Sequence, residues 1–586
     1  MQNENRQCQN CKKKFIIEIE DFNFYEKIKV PPPTFCYLCR AQRRMAFRNE
    51  RKLFKVKNHL TGKEIFSTHP FKEGKKIITR EEWFQDNWDA MDYGVDYDFS
   101  KSCLQQLNDL NDQVPVYALN VIRMVNSPYA FNANSLKNCY LIVNATADED
   151  CMYGNGVDDC KNCVDNSHIN HCERCYESFW IDNCYQCYFS MRCMESHNLY
   201  FCRGCVGCSD CFGCTNLRKA SYQIYNKQYS KEDYFKEIEK MKLDTFSGQQ
   251  QAREKVRAFW NTQIVKYNQG IKNVNSSGSY VSNCKNVNDC YLVRESEDMR
   301  YCQYLQVPKN KDNYDATNWG QNIELCYETI ECGENAYGNK FVRNCWPSCR
   351  NLEYCVNMFS SSDCFGCVGL KKKQYCIFNK QYTKEEYEDL VPKIRKHMDE
   401  MPYIDSQGLV YKYGEFFPIE FSPFGYNNTL ATQHFPLTKE EVKNKGYSWV
   451  DIQRGEYAIT QKAEEIPDSI NEVTDQILRE VFECGNCKKA YKILENELLF
   501  YRKEKLPVPH FCSECRHERR ISDRLKMQLY ERNCMCAGNI DETNQYQNTT
   551  THHHKDSPCG EQMKTGYSPE DPDIVYCEKC YQQEVY

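Results

Sequence analysis

Residues 151–187 read Cys151-Met-Tyr-Gly-Asn-Gly-Val-Asp-Asp-Cys160-Lys-Asn-Cys163-Val-Asp-Asn-Ser-His-Ile-Asn-His-Cys172-Glu-Arg-Cys175-Tyr-Glu-Ser-Phe-Trp-Ile-Asp-Asn-Cys184-Tyr-Gln-Cys187. Cys151, Cys163, Cys175 and Cys187 are twelve residues apart, and Cys139 begins the row. Cys160, Cys172 and Cys184 form a second row at the same step, and Cys193/Cys205 and Cys202/Cys214 form two more. Twelve residues are too few for a helical repeat. They suit one coil of a parallel β-solenoid, in which equivalent residues stack about 4.8 Å apart.

Working outward, segment 138–240 returns as 289–393 at an offset of 151 to 153. Asn138-Cys-Tyr-Leu141 matches Asp289-Cys-Tyr-Leu292, Phe212-Gly-Cys214 matches Phe365-Gly-Cys367, and Asn226-Lys-Gln-Tyr229 matches Asn379-Lys-Gln-Tyr382. Ser230-Lys-Glu-Asp233 and Thr383-Lys-Glu-Glu386 then look like capping boxes that open a helix after each copy. The second copy is more degenerate: Cys290, Cys302 and Cys326 keep the frame and Tyr314 interrupts it.

A second duplication joins the two ends of the chain. Cys8-Gln-Asn-Cys11 and Cys36-Tyr-Leu-Cys39 return as Cys484-Gly-Asn-Cys487 and Cys512-Ser-Glu-Cys515, offset by 476 at every cysteine. Tyr25/Tyr501, Pro31/Pro507, Pro33/Pro509 and Phe35/Phe511 keep that offset. Two Cys-x2-Cys knuckles close one tetrahedral Zn²⁺ site with no open position, so zinc here is structural. A segment this small draws its folding free energy from the ion.

Each second knuckle runs into a helix-like stretch, the treble-clef order. Arg40, Arg43, Arg44 and Arg48 share a face there, as do Arg516, Arg519, Arg520 and Arg524. Guanidinium rows suit phosphates, so one reading is an RNA- or DNA-backbone contact. The other is a solvated or intramolecular face, for instance one set against the acidic segment 85–112, which has seven Asp against Lys101. The C-terminal copy continues with Cys534, Cys536, Cys559, Cys577 and Cys580, enough for a second zinc site with one of His552–His554 able to substitute. The triple His reads equally as an exposed loop. The N-terminal copy lacks these cysteines: Ile77–Trp83 stands where Val575–Tyr581 stands.

Composition sets the broad class. The 586 residues suggest about four domains. The 39 Cys, with no basic-then-apolar leader at Met1–Asn5, fit a reducing cytoplasm and metal binding or burial rather than disulfides. No apolar run is long enough to span a membrane. The 76 basic and 82 acidic residues give a net charge of −6, so the chain is not globally basic. The central cysteines read as core packing, as knuckle-like metal ligands, or, a third option, as disulfides. No nucleotide-, protease- or hydrolase-type motif is present. His168, His171 and His197 beside cysteines are the one hint of a nucleophilic pair.

The run Cys-x2-Cys, Pro-x-Pro, Phe-Cys-x2-Cys-Arg-x2-Arg-Arg resembles the zinc-ribbon (zinc-trap-like) domain of uncharacterised Cys-rich proteins of candidate-phyla bacteria. Phe212–Tyr229, Tyr413–Pro418, Ser422–Asn427 and Tyr576–Val585 are similar to the same family. The resemblance implies zinc binding and no further activity. Residues 51–60 depart from the family pattern in lacking a Cys.

The expectation is a multidomain α+β, mostly β chain. Treble-clef or zinc-ribbon modules at both ends flank two Cys-rich parallel β-solenoid repeats, each followed by a helix. The boundaries are an N-terminal zinc module over 1–58, a metal-free extension over 59–130, solenoids over 131–245 and 283–400, and a helical linker over 246–282. An aromatic-rich connector, with a helix starting at Thr438, covers 401–480, and a C-terminal zinc module with a second site covers 481–586. The expected role is a non-enzymatic zinc-binding scaffold contacting RNA or a ribonucleoprotein, with no small-molecule substrate. A protein–protein adaptor, a soft-metal or redox store, and an enzyme with an unrecognised solenoid site are the alternatives.

Overall fold

The computed structural model describes residues 2–451, 457–538 and 546–586. The chain forms two compact units, each discontinuous in sequence. One contains Met1–Leu119, Asn268–Asp451 and Lys526–Leu529, so it joins the N-terminal module to the second solenoid. The other contains Asn120–Tyr267, Ile452–Leu525 and Tyr530–Tyr586, and joins the C-terminal module to the first solenoid.

The solenoid is built on a backbone constraint with a period of three. From Asn138 to Tyr225 every third residue takes a positive φ between +45° and +70°, non-glycines such as Asn162, Asp165 and Glu177 included. Four such corners close a coil of four three-residue walls. Accordingly Val143 pairs in parallel with Asn155, Asn155 with Ser167, and Ser167 with Phe179, twelve residues per step. A left-handed residue costs about 1–2 kcal/mol unless it is Gly, or Asn or Asp, whose short polar side chains offset it locally. This accounts for the Asn and Asp that precede so many cysteines. Stacked corners also bond to one another: the Asn138 amide donates to Asp150 (3.0 Å) and that of Asn198 to Asp210 (3.0 Å).

The residue after each corner points into the coil. Cys139, Ile142, Ala145, Cys151, Cys160 and Cys163 are all buried in one cluster that runs down the solenoid at every third position. Cys-x2-Cys here is therefore two adjacent walls, not a knuckle. The narrow interior admits small side chains, and it also contains backbone carbonyls and amides that need partners. The Cys172 thiol donates to the Asn170 carbonyl (3.1 Å), and the Cys139 thiol to those of Lys137 and Asp148 (3.4 and 3.5 Å). Interior oxygens accept the amides of the next coil: Asp148 Oδ1 from Cys160 (2.9 Å), Asn166 Oδ1 from Ser178 (2.9 Å), Ser190 Oγ from Cys202 (3.1 Å). Burial pushes the Cys193 and Cys202 thiols well above the ordinary thiol range, so they stay neutral.

The second solenoid begins with twelve-residue coils (Gly278 on Cys290, Tyr291 on Gln303) and then widens. Gln303 pairs with Thr317, fourteen residues on, and Tyr314 with Tyr327, thirteen on, before Arg350–Ser362–Gln374 restores twelve. The expected frame holds from Cys290 to Cys302, whose amide donates to Cys290 Sγ (3.3 Å), and is corrected at Cys326. Tyr314 stacks on Arg300, not on Cys302, and Cys326 sits on Asn313, whose Oδ1 accepts its amide (2.9 Å). The enlarged coil around Pro308 shifts the register by two.

The expected helices follow each solenoid. Ser230 caps Lys231–Lys240, and Thr383 forms a full capping box for Lys384–Glu400. Thr438 does the same for Lys439–Asn444.

Two substitutions test this interior. Cys193→Ser exchanges one small donor for another and should cost no more than about 1–2 kcal/mol in urea unfolding, with the metal content of the chain unchanged. The second concerns Asp148, whose carboxyl burial pushes up to about 10 while Oδ2 accepts no hydrogen bond. The folded state holds this proton and the unfolded state releases it near pH 4, so its stabilisation is full below that pH and falls as pH rises towards 10. Asp148→Asn should therefore gain stability relative to the parent chain between about pH 5 and pH 8; equal slopes with pH would exclude the assignment.

Candidate metal centres and the arginine helices

Four sets of side chains among the described residues bring their donor atoms within 4.8 Å of one another. The first two are the expected quartets Cys8/Cys11/Cys36/Cys39 and Cys484/Cys487/Cys512/Cys515. A hairpin, Glu4–Gln7 against Lys14–Ile17, carries the first knuckle of the N-terminal set. The second knuckle opens the helix Tyr37–Met45, with Cys36 at its N-cap. The C-terminal set repeats this, with Cys512 capping Ser513–Ser522. Cys11 and Cys36 sulfurs lie 3.7 Å apart and those of Cys487 and Cys512 3.6 Å. Zn–S bonds of ~2.3 Å in a tetrahedron require about 3.8 Å, so both quartets fit the ion.

The surroundings suit thiolates. The Cys36 amide donates to Cys8 Sγ (3.3 Å) and Asn10 to Cys39 Sγ (3.3 Å); Cys512 N–H and Asn486 make the same two bonds in the other module (3.2 and 3.4 Å). Hydrogen bonding to Cys512, against the opposing effect of burial, holds the Cys484 thiol down at about 4. Asn10 and Asn486 escaped the sequence reading, although they too lie at the offset of 476.

The third set, Cys534/Cys559/Cys577/Cys580, brings together four of the cysteines expected for an extra site. A hairpin of Tyr530–Asn533 and Gln562–Thr565 leads into Cys534, and Cys577 caps the helix Glu578–Val585. Cys559 and Cys577 sulfurs are 4.0 Å apart. The N-terminal copy has the same hairpin, Phe54–Lys57 with Glu64–Ser67, and the same cap, Thr79 on Arg80–Trp83. Where the C-terminal copy has Cys534, Cys577 and Cys580, it has Asn58, Thr79 and Glu82. There Asn58 Nδ2 and Thr79 N–H both donate to Glu82 Oε2 (2.6 and 2.8 Å). A hydrogen-bonded triad stands in for the thiolates. The fourth set, Cys536/His552/His554/Cys580, shares Cys580 with the third. The triple His is thus not a bland loop: His552 and His554 face sulfur, while His553 is exposed and bonds Gln583.

The arginine helices do not face outward, and the expectation that Arg40, Arg43, Arg44, Arg48, Arg516, Arg519 and Arg520 form a phosphate-binding surface is corrected. Arg40 bonds Asp315 (2.8 Å), Arg43 bonds Glu328 (2.6 Å) and Glu415 (2.9 Å), and Arg44 bonds Asp315 (2.9 Å) and Glu328 (2.8 Å). None of these six side chains is more than 4 % exposed. Arg48 lies beyond the helix end and pairs with Glu50 (2.6 Å) and Glu331. In the other unit Arg516 bonds Asp165 (2.7 Å) and Glu497 (3.2 Å), Arg519 bonds Glu177 (2.6 Å), and Arg520 lies 3.7 Å from Asp165. Arg524 is half-buried. The acidic segment 85–112 supplies none of these partners. Most come instead from solenoid corners, since Asp165, Glu177, Asp315, Glu328 and Glu331 all have positive φ, while Glu50, Glu415 and Glu497 lie outside the solenoids. Glu177 and Glu328 are 151 apart and keep the offset of the middle repeat, whereas Asp165 and Asp315 are 150 apart and fall just outside it.

The solenoid thiols join no metal set among the described residues. His171, 58 % exposed, lies 3.7 and 3.6 Å from Asp159 and Asp182 and pairs with no thiol there.

No family model matches this chain, and no curated protein does. Among solved structures the chain is weakly similar to one from Desulfovibrio desulfuricans described as a "putative acetyltransferase". The two share 9 % identity with a TM-score of 0.10, over 42 % of this chain and 61 % of that one.

Glu328→Gln strips Arg43 and Arg44 of a buried counter-charge and should lower the unfolding free energy by about 3–5 kcal/mol. The exposed Glu324→Gln should stay within about 0.5 kcal/mol. Equal effects of the two in urea unfolding would show that the lock contributes nothing.

Proposed function

We propose that this protein is a non-enzymatic, zinc-dependent scaffold. Thiolate-bound ions fold its terminal modules, and the modules clamp the solenoid walls through their arginine helices. The observation that carries the reading is the pair of cysteine quartets whose sulfur spacings fit a tetrahedral ion and whose following helix is engaged with carboxylates of its own unit. All four positions are filled by thiolate, so the ions are structural. Zinc is favoured over other soft metals because these sites are mononuclear all-cysteine sets with amide N–H donors around the sulfur.

The role follows as a protein-binding adaptor rather than an RNA binder, since the guanidinium rows that would bind phosphate are already neutralised. A soft-metal store in the solenoid is disfavoured by thiols that bond backbone carbonyls. All 39 cysteines are free, which fits a reducing, cytoplasmic setting. No helix among the described residues is long and apolar enough to cross a membrane.

Elemental analysis of the purified chain tests the reading. At least three zinc ions per chain are expected, and chelation should accelerate amide exchange around 8–45, 484–522 and 534–585 by tenfold or more, with little change inside 139–214. Zinc-free protein, or modules still fully protected after chelation, would refute it.

A further inference from the structure

Two tetrahedral ions need eight donor positions, yet the third and fourth sets together comprise seven side chains: Cys534, Cys536, Cys559, Cys577, Cys580, His552 and His554. Cys580 Sγ lies within 4.8 Å of every other donor in both sets. We propose that Cys580 is a bridging thiolate and that the C-terminal module holds a binuclear zinc centre, one ion bound by Cys534, Cys559, Cys577 and Cys580 and the other by Cys536, His552, His554 and Cys580.

The second ion's histidines are already oriented for it. His552 Nε2 lies 2.7 Å from Glu584 Oε1, which leaves Nδ1 directed at Cys536 Sγ 3.0 Å away. His554 Nδ1 lies 2.6 Å from the Ser557 carbonyl, which leaves Nε2 3.3 Å from Cys580 Sγ. A ring nitrogen bonded to carboxylate or carbonyl, with the other nitrogen aimed at thiolates, is the outer-shell arrangement of metal-bound histidine. Asn548 Nδ2 adds a donor to Cys536 Sγ (3.2 Å), and Glu584 is anchored by the Thr549 amide (2.9 Å). Cys536, Cys580 and His552 are all at most 3 % exposed.

Charge also favours the mixed set. Two Zn²⁺ with five thiolates and two neutral imidazoles sum to −1, whereas two separate all-cysteine sites would carry −2 each. Metal loading displaces one proton from each thiol that is not already ionised, and no electron transfer is involved.

The duplication shows where the second site came from. Equivalent backbone bonds, His59 N–H to Ile77 O (2.8 Å) and Met535 N–H to Val575 O (2.9 Å), align the two copies. The offset is 476 at the first residue and 498 at the second, so the C-terminal copy is longer by 22 residues between them. His552 and His554 lie in that added stretch, and the N-terminal copy, whose His59 aligns with Met535, forms no metal set at this place among the described residues.

This inference rests on the zinc reading above, and the test separates the two. The full chain is loaded with zinc and counted, then exchanged with an NMR-active cadmium isotope. Four ions per chain are expected, with two cadmium resonances scalar-coupled to each other through the shared sulfur. The double variant His552→Ala/His554→Ala should lose one ion and the coupling while keeping three. Three ions in the parent chain with no coupled pair would overturn the bridge and leave the scaffold reading standing. If Cys36→Ser and Cys512→Ser also removed no metal, the scaffold reading itself would fail. The coupling is read on the parent chain, so the bridge is tested even if the variant does not fold.

Discussion

A backbone that enters the left-handed region at every third residue is the constraint from which the rest of this structure follows. Each corner turns the chain by about a quarter, so the coil closes in twelve residues, and the residue after it must point inward. The inner positions take small or aliphatic side chains, and where stray carbonyls and amides need partners they take Cys, Ser, Asn or Asp. The outer corner positions stack in columns, and there the choice is free enough for acidic side chains. Asp165 over Glu177, and Asp315 over Glu328, are two such columns. Without the corner geometry there would be neither the thiol-lined interior nor the ladder of carboxylates that receives the arginines.

The terminal modules solve a complementary problem. Each is too small to bury a core of its own, and its helix carries three or more guanidinium groups. Inside the module four cysteines lie close enough together to hold an ion, while the carboxylate column supplies an anchor outside it. The ion pairs are deeply buried, so they specify where a module sits more than they add to stability: burying such charges costs nearly as much as pairing them returns. Arg40 and Arg516 pair with Asp315 and Asp165, and Arg43 and Arg519 with Glu328 and Glu177, so this part of the helix-on-wall contact recurs in both units.

Much of this was legible in the sequence. The twelve-residue rows of cysteine specify the coil, and the knuckles at a fixed offset specify two metal quartets. Ser230, Thr383 and Thr438 mark helix starts through side chains that accept the orphan amides of a first turn. The period of three was hard to see because outward corners accept almost any residue, Trp180 and Phe189 among them, so the Asn and Asp there mark it only in part. The direction of the arginine rows was not legible, because a guanidinium pairs as well with a carboxylate as with a phosphate. Glu177 and Glu328 keep the middle repeat's offset but Asp165 and Asp315, 150 apart, do not, so spacing alone could not assign these carboxylates to the arginines. The histidines were ambiguous for a similar reason: their meaning depends on Glu584 and Ser557, distant partners that no local spacing reveals.

The interleaved order of modules and solenoids has a bearing on how the chain is made. Arg40 finds its anchor at Asp315, 275 residues later in the chain. At a synthesis rate of roughly 5–20 residues per second, the first module waits about 15–55 s on the ribosome before its docking wall exists. During that interval its cationic helix lacks the solenoid carboxylates it later meets. The last module emerges to find its solenoid long since complete. Two copies of one design therefore mature under opposite schedules, one by waiting and one by immediate capture.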